Sequence, residues 1–98
     1  MGIVSFRNKE TEQLAQGLIN KGTRRILPIE LHAKVLIKIQ ILRSASGLRD
    51  LARFPGLRFE PLKGARVGEY SIRINRQYRI CFEWLGEDAS GVSIEDYH

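Results

Sequence analysis

Cysteine is nearly absent from this chain: Cys81 is the one thiol among 98 residues. A single cysteine excludes an internal disulfide and any multi-cysteine metal site. Histidine is also scarce, at two residues, and one histidine beside one aspartate does not make a zinc site. No metal and no other cofactor is expected. Long apolar runs are missing as well, since none reaches the roughly 18 residues that a membrane span needs. The opening Met1-Gly2-Ile3-Val4-Ser5-Phe6 lacks the apolar stretch of a signal peptide. Gly2 would suit myristoylation, but Phe6 stands where that signal requires Ser or Thr. The expected compartment is the cytoplasm, with no membrane partner. Internal repeats and low-complexity segments are also lacking.

Charge is present but unevenly spread. The net charge is +5 and the pI about 9.8. Residues 49–79 carry eight basic side chains, Arg49, Arg53, Arg58, Lys63, Arg66, Arg73, Arg76 and Arg79, against the three acids Asp50, Glu60 and Glu69. Residues 80–98 carry five acids and no Lys or Arg. A basic block of this kind suits a polyanionic partner, most simply nucleic acid. The plainer alternative is a solvated basic face. The length and an apolar fraction of 43% fit a single domain over residues 1–98 with a modest core.

Along the chain, Ile3 to Phe6 reads as a short strand. Asn8 or Thr11 is placed to cap a helix over residues 9–20, with Leu14 and Leu18 on one face. Lys21-Gly22-Thr23 is expected to end it. Pro28 suits the first turn of a second helix running to Ser44. Alternation from Ile29 to Ile41 also fits a strand, but 13 residues exceed the usual length of about 3–10. Leu31, Val35, Ile39 and Leu42 form a helical stripe instead, so a helix is expected. Ser46-Gly47 breaks it, and Leu48 to Arg53 forms one further turn. The rest reads as β: Leu57 to Leu62, an edge strand because of Pro61, then 69–74, 78–84 and 92–96, with a turn from Leu85 to Gly91. Helices followed by strands describe an α+β domain, two N-terminal helices on a mainly antiparallel sheet.

The alternation also sets a register. Tyr70, Ile72 and Ile74 must face Phe82, Ile80 and Tyr78, which requires the three-residue turn Asn75-Arg76-Gln77. Arg73 then falls opposite Arg79. Like charges in that position cost stability unless something offsets them. Glu83, Glu95 or a bound phosphate are the candidates, since a guanidinium pairs bidentately with phosphate. Downstream, Val92-Ser93-Ile94-Glu95 runs into Asp96-Tyr97-His98. A carboxylate, a phenol and an imidazole can orient, stack on and exchange protons with a substrate. By parity Asp96 faces the core, so it either holds the imidazole or makes a structural hydrogen bond. Cys81, Trp84, Phe82, Tyr70 and Tyr78 read as packing residues, and His32 as structural or exposed.

Pro61-Leu62-Lys63-Gly64, Gly68 through Ser71-Ile72-Arg73, Tyr78-Arg79-Ile80 and the ending Glu95-Asp96-Tyr97-His98 together resemble the HigB toxins of the RelE/ParE superfamily. The resemblance covers nearly the whole chain and implies a RelE-like β-α-α-β-β-β-β fold. It also implies a type II toxin that cuts mRNA in the ribosomal A site without a metal. In that reaction the ribose 2′-OH attacks the adjacent phosphate, leaving a 2′,3′-cyclic phosphate and a 5′-OH. The implied partners are a HigA-type helix-turn-helix antitoxin, the 70S ribosome and mRNA, with operator DNA reached only through the antitoxin. Arg79, and with it Arg73, would hold the phosphate. Lys63 would do the same or act as base. Tyr97 would stack on a message base, and His98 would transfer protons, since an unperturbed imidazole has a pKa near neutrality. Arg49, Arg53, Arg58, Arg66 and Arg76 would bind RNA or ribosome. The HigB pattern commonly has a histidine two residues before Leu-Lys-Gly; here that residue is Glu60, a free glutamate being a weak base near neutral pH. Competing readings are a non-catalytic nucleic-acid or ribosome-binding module and a ParE-like gyrase inhibitor.

Overall fold

A computed structural model describes residues 2–96. The strand-forming half of the chain organises it. β1 (Gly2–Ile3), β2 (Glu60–Pro61), β3 (Glu69–Arg73), β4 (Tyr78–Leu85) and β5 (Asp88–Asp96) make one sheet in the order β1-β5-β4-β3-β2. Neighbours are antiparallel except β1, which lies parallel to β5. The expected hairpin register is the observed one: Tyr70 faces Phe82, Ile72 faces Ile80 and Arg73 faces Arg79. Asn75 Oδ1 closes the turn by accepting from the backbone N–H of Gln77 and of Tyr78.

The helices are α1 (Lys9–Ala15), α2 (Lys21–Ile26), α3 (His32–Ser44) and α4 (Leu48–Ala52). The expected helix over 9–20 is realised only as α1, and α2 follows it as a helix that the sequence reading did not include. Asn8, rather than Thr11, caps α1 through the Thr11 N–H at 2.9 Å. The chain leaves that helix at Gly17, whose φ of +85° suits glycine. Lys21-Gly22-Thr23 starts a helix instead of ending one. Asn20 and Thr23 form a reciprocal capping box, each side chain accepting the other's backbone N–H at 2.9 Å. The ambiguous segment is helical after a 3-10 turn at Ile29–Leu31, with Val35, Ile39 and Leu42 buried and Ile37 in solvent.

Three strands differ markedly in extent from expectation: β1 is Gly2–Ile3 rather than Ile3 to Phe6, with Phe6 joined to Val92 only by an isolated parallel bridge. β2 is only Glu60–Pro61, because Leu57 closes a 3-10 turn and Arg58 adopts a left-handed φ of +48°. It is an edge strand, as Pro61 requires. β5 begins at Asp88 rather than Val92, after a tight turn at Gly86. Asp88 and Ala89 read locally as turn residues, yet they pair with Leu85 and Trp84 and, on the other side, with β1.

One face of the sheet (Ile72, Ile74, Ile80, Phe82, Val92, Ile94) packs with Leu14, Val35, Ile39, Leu42 and Leu51 of the helices in a single apolar cluster. The alternate residues, Glu69, Ser71, Arg73, Arg79, Cys81, Glu83, Ser93 and Glu95, occupy the other face.

Candidate active site

Ser71, Cys81 and Ser93 lie in one row across β3, β4 and β5, and all three are buried. Their small side chains leave room for long ones to lie over them. Arg79 uses that room and is only 9% exposed. A guanidinium so far from water needs partners. Its Nε donates to Ser71 Oγ at 2.7 Å, and an Nη donates to the Arg58 carbonyl at 2.6 Å. The left-handed turn at Arg58 presents that carbonyl. Glu60 Oε1 stands 3.7 Å from the same Nη. Glu60, from edge strand β2, is thus a carboxylate close to Arg79 that the sequence did not suggest; of the proposed pair, Glu83 is exposed and Glu95, though opposite Arg79 in the ladder, is gripped by Arg66. Arg73 faces Arg79 in register but turns toward the hairpin, where its Nε donates to the Asn75 carbonyl at 3.0 Å. The two like charges diverge, which lowers the cost of their pairing.

A second arginine lies over the same face. Arg66, on the 3-10 turn Gly64–Arg66, donates to Glu69 through Nε (3.3 Å) and Nη2 (2.8 Å). It also donates to Glu95 through Nη1 (2.6 Å) and Nη2 (2.7 Å). Arg7 reaches both carboxylates from the other side, at 3.1 and 3.5 Å. The Arg66 hydrogen bonds pull the Glu95 carboxyl down to about 2, helped by the Ser93 hydroxyl against the opposing effect of burial. Glu69 is lowered chiefly by the same guanidinium, and Arg66 is raised in turn by its hydrogen bonds to Glu95 and Glu69. Beneath them Cys81 is fully buried, and burial, seconded by Glu95, pushes its thiol up to about 12. Such a thiol is no nucleophile, in line with the packing role expected of it.

The remaining candidates fall in three places. Lys63 is exposed and opens the 3-10 turn that carries Arg66. Arg58, Arg73 and Arg76 line a groove of about 360 Å³ together with Lys34, Lys38 and Asn75. Burial and the neighbouring Lys34 lower the Lys38 pKa, as crowding of cations requires. In the sequence the two lysines mark only the polar face of the helix, opposite the apolar stripe, and are not site candidates; their i,i+4 spacing was the available signal. Arg49 and Arg53 stand exposed on α4, with Arg53 3.9 Å from Asp50. At the far end of β5, Asp96 pairs with Tyr78. Contrary to the parity reading it does not point into the core: it is exposed and accepts from Gln77 Nε2 at 3.0 Å. Tyr97 and His98 lie outside the described residues. His32 is structural, its Nε2 lying 2.8 Å from the Leu27 carbonyl. Among the described residues no three His, Cys, Asp or Glu side chains gather as metal ligands would, and no helix is long and apolar enough to cross a membrane.

Comparison with known proteins places this arrangement. A family model described as the RelE-like toxin of the type II toxin–antitoxin system HigB matches residues 4–98. Toxin HigB-1 of Vibrio cholerae serotype O1 is 34% identical over 94 residues, covering 96% of this chain and 92% of that protein. Endoribonuclease HigB of Proteus vulgaris is 30% identical over 96 residues, covering 98% and 99%. In fold, a YoeB/ParE toxin from Agrobacterium tumefaciens superposes over the whole of both chains with a TM-score of 0.58 at 17% identity. The helix-backed antiparallel sheet, the arginine-bearing polar face and these matches lead to one conclusion: the chain belongs to the HigB family of RelE-like toxins of type II toxin–antitoxin systems.

Proposed function

We propose that this toxin is a ribosome-dependent endoribonuclease that cuts mRNA in the A site. The observation that carries the reading is the pairing of Arg79 with Glu60 at 3.7 Å on the polar face, beside the loop bearing Lys63. The relative from Proteus vulgaris is named an endoribonuclease, and the basic groove of Lys34, Lys38, Arg58, Arg73 and Arg76 suits a phosphate backbone. In the proposed reaction the 2′-oxygen bonds to phosphorus as its proton passes to a base. The P–O5′ bond then breaks as an acid protonates the leaving oxygen. Arg79 is pre-organised by Ser71 and the Arg58 carbonyl to stabilise the phosphorane charge. Glu60, half exposed, is displaced from the guanidinium by the scissile phosphate and is then free to take the 2′-OH proton. Lys63 adds charge, Asp96 orients the tail, Tyr97 stacks on a base and His98 serves as proton donor. Arg49 and Arg53 extend the basic surface toward ribosomal RNA. A type II family implies an antitoxin partner, and we take it to be of the HigA helix-turn-helix type.

Primer extension on a defined mRNA in a purified translation system tests this, with wild type, Arg79→Lys, Glu60→Gln and His98→Ala compared. Cuts within codons that require ribosomes and fade in Arg79→Lys and His98→Ala are expected. A lower kcat in Glu60→Gln identifies the base. An unchanged kcat with tighter binding would show instead that Glu60 only neutralises Arg79. Blocked translation without cleavage would overturn the endonuclease in favour of a binding module.

A further inference from the structure

Arg66 stands apart from the other basic side chains because its donors are already taken. A guanidinium has five N–H groups. Here four hydrogen bonds run from Nε, Nη1 and Nη2 to the two carboxylates, so Glu69 and Glu95 are each held bidentately. Little remains with which to grasp a phosphate. What the contacts join is more telling. Glu69 begins β3 and Glu95 lies near the end of β5, with β4 between them. Arg66 bridges β4 above the buried Cys81. Its own backbone N–H is bonded to the Lys63 carbonyl at 3.2 Å, and the Leu62 N–H to the Glu69 carbonyl at 2.8 Å closes the same loop. Glu95 faces Arg79 across the β4–β5 ladder and directly precedes Asp96.

We propose that Arg66, with Glu69 and Glu95, is a positioning clamp for the cleavage site rather than an RNA contact. It holds two parts in mutual register, the Lys63 loop with the start of β3 and the Glu95-Asp96 segment of β5, which flank the β4 strand carrying Arg79. Arg7 backs the clamp from the opposite side, and the four side chains sum to zero charge, so the cluster adds no attraction for RNA. The inference rests on the endonuclease reading above and assigns a further residue to it.

The clamp and an RNA contact make opposite predictions for one variant. If Arg66 binds RNA, Glu95→Gln weakens its internal tether and tightens ribosome binding. If Arg66 positions the site, Glu95→Gln loosens the constellation and slows cleavage. Single-turnover cleavage of a programmed ribosome would be measured for wild type, Arg66→Ala, Arg66→Lys, Glu69→Gln and Glu95→Gln, with KM for the ribosome and far-UV circular dichroism in parallel. The expected result is a kcat reduced roughly tenfold to a hundredfold in Arg66→Ala and Glu95→Gln, with KM unchanged. Arg66→Lys, which keeps the charge but cannot fork to both carboxylates, recovers only part of the rate. A raised KM with intact kcat in Arg66→Ala, or a lowered KM in Glu95→Gln, overturns the clamp and leaves the endonuclease standing. Wild-type rates per folded molecule in all variants also overturn it, as a purely structural ion cluster. Should Arg66→Ala fail to fold, the two glutamine variants decide alone. Absence of cleavage by wild type removes the endonuclease reading and the clamp with it.

Discussion

Arg79 is a structural side chain that the proposed mechanism also assigns to the phosphate. Its Nε and Nη groups satisfy the buried Ser71 hydroxyl and the Arg58 carbonyl, so truncation leaves both acceptors without their donor. Arg79→Ala is therefore expected to cost stability, about 1–3 kcal/mol for unsatisfied buried groups, as well as growth arrest. Sequence alone does not reveal this cost, because burial of the side chain depends on Ser71 and the remote Arg58. Arg79→Lys is the sharper variant. It retains the charge but lacks the planar fork, and is expected to fold near wild type in urea titration while losing most of its cleavage rate. Equal activity in Arg79→Lys would remove the bidentate phosphate contact from the mechanism.

The short helices and the sheet ends behave differently as elements. α2 is six residues long and rests on its capping box. Asn20→Ala should lower unfolding stability by about 1 kcal/mol, with cleavage per folded molecule unchanged. The β3–β5 tie is instead sensitive to acid. Glu95 titrates at about 2 in the folded protein, below the ordinary carboxylate value of 4.5, and Glu69 shifts in the same direction. A depressed carboxylate stabilises the fold above its unfolded pKa, and that contribution disappears as pH falls through the folded value. Wild-type stability should therefore drop between about pH 4.5 and pH 2. Denaturant midpoints measured across this window should fall less steeply in Glu95→Gln. An identical slope would show that Glu95 is not the group responsible.

At the scale of the whole molecule, the +5 charge is not spread evenly. Arg66 and Arg7 are neutralised by carboxylates, whereas Lys34, Lys38, Arg58, Arg73 and Arg76 crowd one groove between α3 and the β3–β4 hairpin. Ribosome binding is expected to weaken with salt. The combined Lys34→Gln/Lys38→Gln variant should flatten the log–log salt slope by roughly one unit for each phosphate it no longer neutralises. Sedimentation binding at several salt concentrations checks this; an unchanged slope would place the RNA elsewhere. The comparable double variant at Arg49 and Arg53 asks the same of the α4 surface.

The α+β class, the three-residue hairpin turn and the placing of Arg73 opposite Arg79 were legible in the sequence. Each follows from period-two alternation and turn length, which operate over a few neighbouring residues. The same local logic read Lys21-Gly22-Thr23 as a helix end, missing that Asn20 and Thr23 cap each other, and it read Asp88 and Ala89 as a turn. Those two residues become strand only because β4 and β1 offer ladders on either side. Tertiary structure alone decided which carboxylate meets which guanidinium. Glu60 comes to Arg79 through the edge strand, and Glu95 comes to Arg66 from 29 residues away. Charge pairing is set by distances of a few ångströms between side chains far apart in the chain, and only the packed sheet and its covering loop establish those distances.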